Sequence, residues 1–391
     1  HYYETAGWFY NNADVYDKLP DDIPYKIYVG EYAAIGRPSL YSSLAEAAYL
    51  TGVERNADKV QMVSYAPLIE NAAHGKDHLL VLKNDSVYGR TNYYVLKMFS
   101  ENRPDVNLHT DLKPASPEPV FRTNGFIGLG TNNTEAQFKD LKVIVNGEEI
   151  YTSGWSDFVD KWTIIRGDWK MEGNLLSQSQ KGIDALAILE DREFDDCTIE
   201  LKAKKISGTE GFRIVFGGTD SNNYFMADIG SHTNESVIFR EVNNEGPISL
   251  FDYRNTASIK TDQWYTVRIE IEGAHWKCFL NDELQYEYTY APKKKHYVVS
   301  GYDRERKEVI VKLVNAEAGN WKVRLQLDKA KNLASKGTKI VLGADDRFDE
   351  NSFSDPLKIV PKVTELSGIS KEFTIDCQAN SLTVLRIPCE K

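Results

Sequence analysis

The stretch Val29-Gly30-Glu31-Tyr32-Ala33 holds the residue types and spacing most suited to chemistry in this chain. It ends an apolar run, Ile27-Tyr28-Val29, that reads as a short buried parallel strand. Glu31 then sits just past the strand's C-terminal end, followed by small residues and by Gly36. Enzymes built on parallel barrels place their catalytic groups at that end of their strands, so Glu31 is a candidate catalytic carboxylate. A carboxylate at a strand-to-helix turn also serves as a helix cap, and the local pattern alone does not separate the two.

The elements that must position Glu31 alternate between strand and helix. A strand is expected over Lys26–Val29 and a helix over Leu40–Thr51, stopping at Gly52 as its C-cap. Strands follow at Val60–Tyr65 and Leu79–Leu82. Asn92–Phe99 places Tyr93, Tyr94, Leu96 and Phe99 close to one face and reads as an amphipathic helix. Such alternation implies parallel strands with right-handed crossovers. Residues 1–112 supply only three or four strands, whereas a closed eight-stranded barrel takes roughly 250 residues. The segment is therefore expected to be part of something larger.

At 391 residues the chain is long enough for two or three domains. Hydrophobic residues at 41% and charged residues at 27% are those of a water-soluble globular protein. A net charge of −11 argues against nucleic acid or an anionic membrane as the main partner. The chain contains no run of 18 apolar residues of the kind that spans a bilayer. Its start at His1, with no initiator Met, reads as processed or trimmed, so the lack of a visible signal peptide carries no information on the compartment. Cys197, Cys278, Cys377 and Cys389 form no Cys-x-x-Cys or Cys/His cluster, which disfavours zinc, and no metal or cofactor is expected. Cys377 and Cys389 flank the last hairpin and could bond, but a core of this size needs no staples, so all four read as reduced or buried.

Beyond residue 112 the texture changes. Residues 113–120 carry Pro114, Pro117 and Pro119 and read as a semi-rigid linker. Residues 121–290 are all-β, with short runs such as Phe126–Leu129, Leu141–Val145, Phe212–Phe216, Trp264–Ile271 and Trp276–Leu280 separated by turns, and they indicate a β-sandwich. Residues 291–391 form a second all-β unit, with strands at Val309–Val314, Trp321–Leu325, Lys339–Leu342 and Leu382–Ile387. Aromatic content of 12%, with 22 Tyr and 7 Trp, suits sugar stacking as well as sandwich cores.

His1-Tyr2-Tyr3, Val29–Ala33, Ala45–Asn56, Ser64–Leu68, Thr91–Val95, Asn351-Ser352-Phe353 and Ser381–Ile387, taken in that order, resemble the motifs of α-L-arabinofuranosidases of glycoside hydrolase family 51 over residues 1–112 and about 297–391. His1-Tyr2-Tyr3 is similar to the end of that family's Asp-Glu-His-Tyr-Tyr run, and Val29–Ala33 to its nucleophile motif. Ala45-Glu46-Ala47-Ala48-Tyr49-Leu50-Thr51-Gly52-Val53-Glu54-Arg55-Asn56, Ser64–Leu68 and Thr91–Val95 are similar to its last barrel helices and strands. Asn351-Ser352-Phe353 and Ser381–Ile387 look like the signature of its C-terminal sandwich. The central segment, through Gly211-Phe212-Arg213, Asp220–Tyr224 and Gln263–Val267, resembles concanavalin-like (laminin-G-like) jelly rolls. The strands that usually close such a domain, ending Phe138–Val143, come first here, as in a permuted insertion.

The resemblance implies a multidomain chain: the C-terminal fragment of a (β/α)8 barrel at 1–112, the linker at 113–120, a concanavalin-like sandwich at 121–290 and the family's C-terminal sandwich at 291–391. It implies a retaining enzyme that removes terminal arabinofuranosyl residues from arabinan, arabinoxylan or related oligosaccharides, with no cofactor. That mechanism uses two carboxyl groups about 5–5.5 Å apart. By resemblance Glu31 is the nucleophile, Tyr3 a hydrogen-bond donor to it, and His1 and Tyr2 the lining of the sugar subsite. The family's acid/base lies in an Asn-Glu pair upstream of the His-Tyr-Tyr run. Asn234-Glu235 and Asn244-Glu245 stand instead in sandwich loops, and Glu46 and Glu54 on or after a helix, where a solvated or structural role is expected. The chain is therefore expected to be inactive alone, with the missing barrel half or a second copy as partner and the periplasm or exterior favoured as its location. The other reading is an accessory fragment whose central sandwich binds plant polysaccharide through Trp155, Trp162, Trp169, Tyr224, Tyr253 and Trp276, although alternation turns many of these inward.

Overall fold

A computed structural model describes residues 1–74, 79–114, 120–153, 155, 158–243, 246–250, 257–292 and 294–390. Pro117, Pro119, Asn244, Glu245 and Tyr253 lie outside the described residues. The chain is mostly β-sheet and divides into two compact units, one of His1–Pro117 with Lys293–Lys391 and one of Glu118–Pro292.

In the first unit, β1 (Tyr2–Thr5), β2 (Ile27–Ile35) and β3 (Val60–Tyr65) form a parallel sheet with β2 in the middle. Helix α1 (Ala6–Asn11) follows β1, and the long helix α2 (Leu40–Arg55) connects β2 to β3. A capping box starts α2: Ser39 Oγ accepts from the Ser42 N–H, and Ser42 Oγ accepts from the Ser39 N–H. Every residue from Leu40 to Gly52 is buried, because the helix has core on all sides. It packs with Val29, Tyr32, Ala33 and Val60 of the parallel sheet and with Tyr297, Ile310, Val314 and Val384 of the C-terminal strands in one cluster.

Two expectations for this region are corrected. Gly52 is not the C-cap; the helix runs on to Arg55, and Asn56 ends it. A Cβ at position 52 would lie 1.9 Å from the Ala13 carbonyl oxygen, so the glycine lets the segment after α1 approach α2 closely. The strand expected at Leu79–Leu82 forms at Leu80–Lys83, but outside the parallel sheet β1–β3. It lies parallel to Ile69–Asn71 and antiparallel to Ser86–Gly89, joined to the latter by a two-residue turn in which Asn84 adopts positive φ. A hairpin partner so near in sequence costs less entropy than a remote parallel one. Helix α3 (Thr91–Glu101) comes next.

The C-terminal strands build a six-stranded sheet in the order 362–367, 336–343, 381–388, 308–315, 296–303 and 106–108. Its central strands are apolar on both faces. Ile310 and Val314 join the cluster around α2, whereas Val309, Val311 and Leu313 form a second core with Val323 and Ile375 of the hairpin-like pair Trp321–Gln326 and Glu372–Cys377.

The second unit consists of an eight-stranded and a seven-stranded antiparallel sheet. Inward residues of both, among them Phe138, Val143 and Trp276 from one and Leu129, Phe212 and Phe239 from the other, share a single core. The strands appear where alternation puts them, for example Trp264–Glu272 and His275–Leu280. All four cysteines are free and buried.

Candidate active site

β2 does not end at Val29; it continues to Ile35, so Glu31 lies within the strand rather than past it. The strand persists because β1 pairs along its second half, with Tyr2 opposite Tyr32 and Tyr3 opposite Ala33. Against β3 the register slips: Val29 faces Val63 and Tyr32 faces Tyr65, leaving one extra residue on β2. That is a β-bulge at Gly30-Glu31, a device that re-aims a side chain. Val29 and Tyr32 both point into the core although two residues lie between them, and Glu31 is turned onto the opposite face with 41% of its side chain exposed.

On that face Glu31 is met from the neighbouring strand. The Tyr3 hydroxyl donates to Glu31 Oε2 at 2.9 Å, and His1 Nδ1 lies 3.3 Å from the same oxygen. Oε1 takes neither contact. Partial burial, then the hydrogen bond and charge of Glu31, raise the Tyr3 phenol above its ordinary range, so it keeps its proton and remains a donor. A Cβ at Gly30 would lie 2.8 Å from His1 Nε2, so the glycine leaves room for the imidazole. Tyr2 is turned the other way by strand alternation; its ring packs on Trp8 at 4.8 Å and on Tyr49 at 6.1 Å. The structure thus brings His1 and Tyr3 to Glu31 and directs Tyr2 to the helix side of the sheet.

This open face continues with Tyr28, 56% exposed, whose hydroxyl is 2.9 Å from Ser64 Oγ, and with Met62, 57% exposed. Parallel sheets are ordinarily covered on both faces. Here α2 covers one.

Behind β2 lies a polar cluster that sequence reasoning passed over. Glu46 of α2 is buried and accepts the Ala34 N–H at 2.8 Å. Asn92 Nδ2 donates to Tyr65 Oη at 2.5 Å, and both side chains stand near enough to the Glu46 carboxyl to favour its charged form. Burial pushes Glu46 up to about 8 in spite of those donors, and the charge of Glu350 adds to the rise. Glu350 accepts from the Thr91 N–H at 2.8 Å and from Thr91 Oγ1 at 2.9 Å, capping α3. The same segment gives the Asp349 and Arg347 carbonyls to the Leu40 and Tyr41 N–H groups that open α2. A signal for Glu46 was available: a carboxylate among small residues in Ala45-Glu46-Ala47-Ala48 cannot stay solvated if that helix is core. Nothing local marks Glu350.

The other acidic candidates are engaged structurally. Glu54 pairs with the fully buried Lys312, whose ammonium also lies 4.8 Å from the Phe99 ring centroid. Asn234 has φ +69° and its Oδ1 accepts the Ile259 N–H at 2.8 Å, a turn role. Trp155, Trp162, Trp169, Tyr224 and Trp276 are all buried, so none of these five offers a free stacking face. Among the described residues no group of His, Cys, Asp and Glu is arranged to hold a metal ion, and no helix is long and apolar enough to cross a membrane.

A family model described as the alpha-L-arabinofuranosidase C-terminal domain matches residues 30–381. An extracellular exo-alpha-L-arabinofuranosidase of Streptomyces chartreusis is 29% identical over 393 aligned positions, covering 99% of this chain and 47% of that protein. Alpha-L-arabinofuranosidase 1 of Arabidopsis thaliana is 30% identical over 220 positions, covering 53% of this chain and 32% of its own length. The chain thus spans half or less of the curated relatives it matches. The arabinose-bound MgGH51 α-L-arabinofuranosidase superposes with a TM-score of 0.50 at 16% identity, covering all of this chain and 36% of that one, a likeness of fold.

Proposed function

The chain belongs to the α-L-arabinofuranosidase C-terminal domain family, and from that premise we propose that it is the nucleophile-bearing part of a retaining α-L-arabinofuranosidase of glycoside hydrolase family 51. The observation that carries this reading is the convergence of Tyr3 and His1 on one oxygen of Glu31, at a bulge in a parallel strand, on the face that α2 does not cover. Glu31 Oε1 is the attacking oxygen. It displaces the leaving group at the anomeric carbon of a terminal arabinofuranosyl residue and forms a covalent glycosyl ester. Tyr3 holds Oε2 and fixes the carboxylate's orientation, and His1 lines the subsite beside Gly30. Tyr2 backs them by packing on Trp8 and Tyr49.

The acid/base carboxyl, which protonates the leaving oxygen and then activates water, comes from a barrel segment outside this chain. In this reading residues 1–112 are the closing part of a (β/α)8 barrel, and the exposed Tyr3, Tyr28 and Met62 face its interior. Residues 113–120 link it to a concanavalin-like jelly roll at 121–290, and residues 291–391 are the family's C-terminal sandwich. The jelly roll serves as an accessory spacer, since its aromatic candidates among the described residues are in the core. Arabinan, arabinoxylan and related oligosaccharides are the substrate class, and the other barrel half, in the same polypeptide or another, is the partner.

Assay of the 391-residue chain on 4-nitrophenyl α-L-arabinofuranoside tests this directly. The chain alone gives no turnover above background, because losing one member of a cooperating catalytic set costs orders of magnitude. Turnover comparable to a full-length enzyme, abolished by Glu31→Gln, would overturn the division of the two carboxylates. In a polypeptide that also carries the barrel's other half, proton NMR of the first-formed sugar shows retained configuration; inversion refutes Glu31 as nucleophile.

A further inference from the structure

β2 outruns β3. Pairing on that side ends at Tyr32 opposite Tyr65, while β2 continues to Ile35. The Tyr32 carbonyl accepts from the Ala66 N–H at 3.4 Å, so the backbone groups of Tyr32 face the β3 side. Ala34, two residues on, faces the same way by the period of a strand and aims its N–H beyond the end of β3. A buried amide there without an acceptor would cost about as much as a lost hydrogen bond. Glu46 Oε1 supplies the acceptor at 2.8 Å, from a side chain wholly inside the core.

We propose that Glu46 is a positioning residue for Glu31, standing in for the strand partner that β2 lacks beyond Tyr65 and so holding the bulge that turns Glu31 onto the open face. Its catalytic meaning rests on the reading of Glu31 as nucleophile; its geometry does not. Burial, with the charge of Glu350 added, outweighs the donors around Glu46 and favours a neutral acid. From β2 comes Tyr32, from β3 the Tyr65 hydroxyl, from α3 the Asn92 amide, and from the C-terminal unit Glu350, with Arg90 beside Tyr65 and Glu350. Raised to about 8, the Glu46 carboxyl keeps its proton at neutral pH and can accept from Ala34 while donating in turn. Asn92 Oδ1, buried without a partner, is an acceptor in the same cluster. Thr91 Oγ1 lies 2.7 Å from Ser43 Oγ and ties α3 to α2, which keeps the cluster's walls together.

The test uses the whole chain labelled with 15N-alanine and 13Cδ-glutamate, comparing wild type, Glu46→Gln and Glu46→Ala. Ala34 amide exchange reports on the bond, Ala48 exchange on opening of α2, and the Glu31 carboxyl 13C resonance on its setting. In Glu46→Ala, Ala34 exchange accelerates on the order of tenfold with Ala48 unchanged, and the Glu31 carboxyl 13C resonance moves. Glu46→Gln, which keeps a carbonyl acceptor and a donor, restores both readouts. Equal acceleration of Ala34 and Ala48, an unchanged Ala34, or a Glu31 carboxyl resonance indifferent to Glu46→Ala each overturns the proposal. Should Glu46→Ala fail to fold, Glu46→Met fills the volume without an acceptor and carries the same readouts. Failure of the nucleophile reading shows separately, as catalysis indifferent to Glu31→Gln in the complete enzyme.

Discussion

In the sandwich of residues 118–292, both sheets turn their inward residues onto one core, and even Trp276 is fully enclosed. In the parallel sheet β1–β3, one face is sealed by α2 while the other leaves Tyr3, Tyr28, Glu31 and Met62 accessible. The two regions also treat buried carboxyls differently. Burial alone would raise Asp228, but Arg213 and Arg240 outweigh it and hold the carboxylate below its usual range. Glu46 is surrounded by neutral donors and another acid, and it is raised. The sandwich thus keeps a buried charge by pairing it, a structural solution. The α/β region keeps a buried acid neutral and places its ionisable, reachable carboxylate on the uncovered face. Closure serves stability, and the open face is where chemistry remains available.

That contrast can be broken at four points. Trp276→Ala empties the sandwich core and lowers stability by about 3–5 kcal/mol in urea unfolding. A loss under about 1 kcal/mol would mean that the core is not the tightly packed one described. Asp228→Asn removes the buried carboxylate that Arg213 and Arg240 share and costs about 3 kcal/mol at pH 7. Because the folded carboxyl is depressed, its contribution is present above the ordinary value near 3.8 and fades as pH falls through the folded value. The gap between wild type and Asp228→Asn therefore shrinks below about pH 4, and a pH-independent gap contradicts the pairing.

Glu46→Gln behaves oppositely. A group raised from 4.5 to about 8 stabilises fully below the lower value and loses that contribution as pH climbs toward the higher one. Glu46→Gln accordingly gains on wild type, by about 4–5 kcal/mol in total, between roughly pH 4.5 and 8. Parallel stability curves across that range would show Glu46 to be ionised in the fold. Met62→Ser, on the open face, shifts stability by less than about 0.5 kcal/mol. A loss as large as that of a core residue would show the face to be covered.

Much of the fold was legible from local pattern. Trp264–Glu272 and Ser381–Pro388 form where alternation put them, and β3 spans the expected residues, because strand periodicity is a property of neighbouring side chains. The strand boundary at Glu31 was not legible. Whether β2 stops at Val29 or runs to Ile35 depends on β1 pairing with its second half. Gly52 was misread for a related reason: a glycine near a helix end resembles a cap, and only the approach of Ala13 reveals the contact that needs it.

By itself the sequence determined the β-rich architecture, the alternation of elements around Glu31 and, through ordered motifs, the family. The tertiary structure alone decided where Glu31 points, through a bulge created by two neighbouring strands with different registers. It also decided that Glu46 and Glu350, more than three hundred residues apart in sequence, belong to one buried cluster behind that bulge. Periodicity reports on residues a few positions apart, whereas burial, pairing and protonation are set by whatever distant segments the fold packs against them.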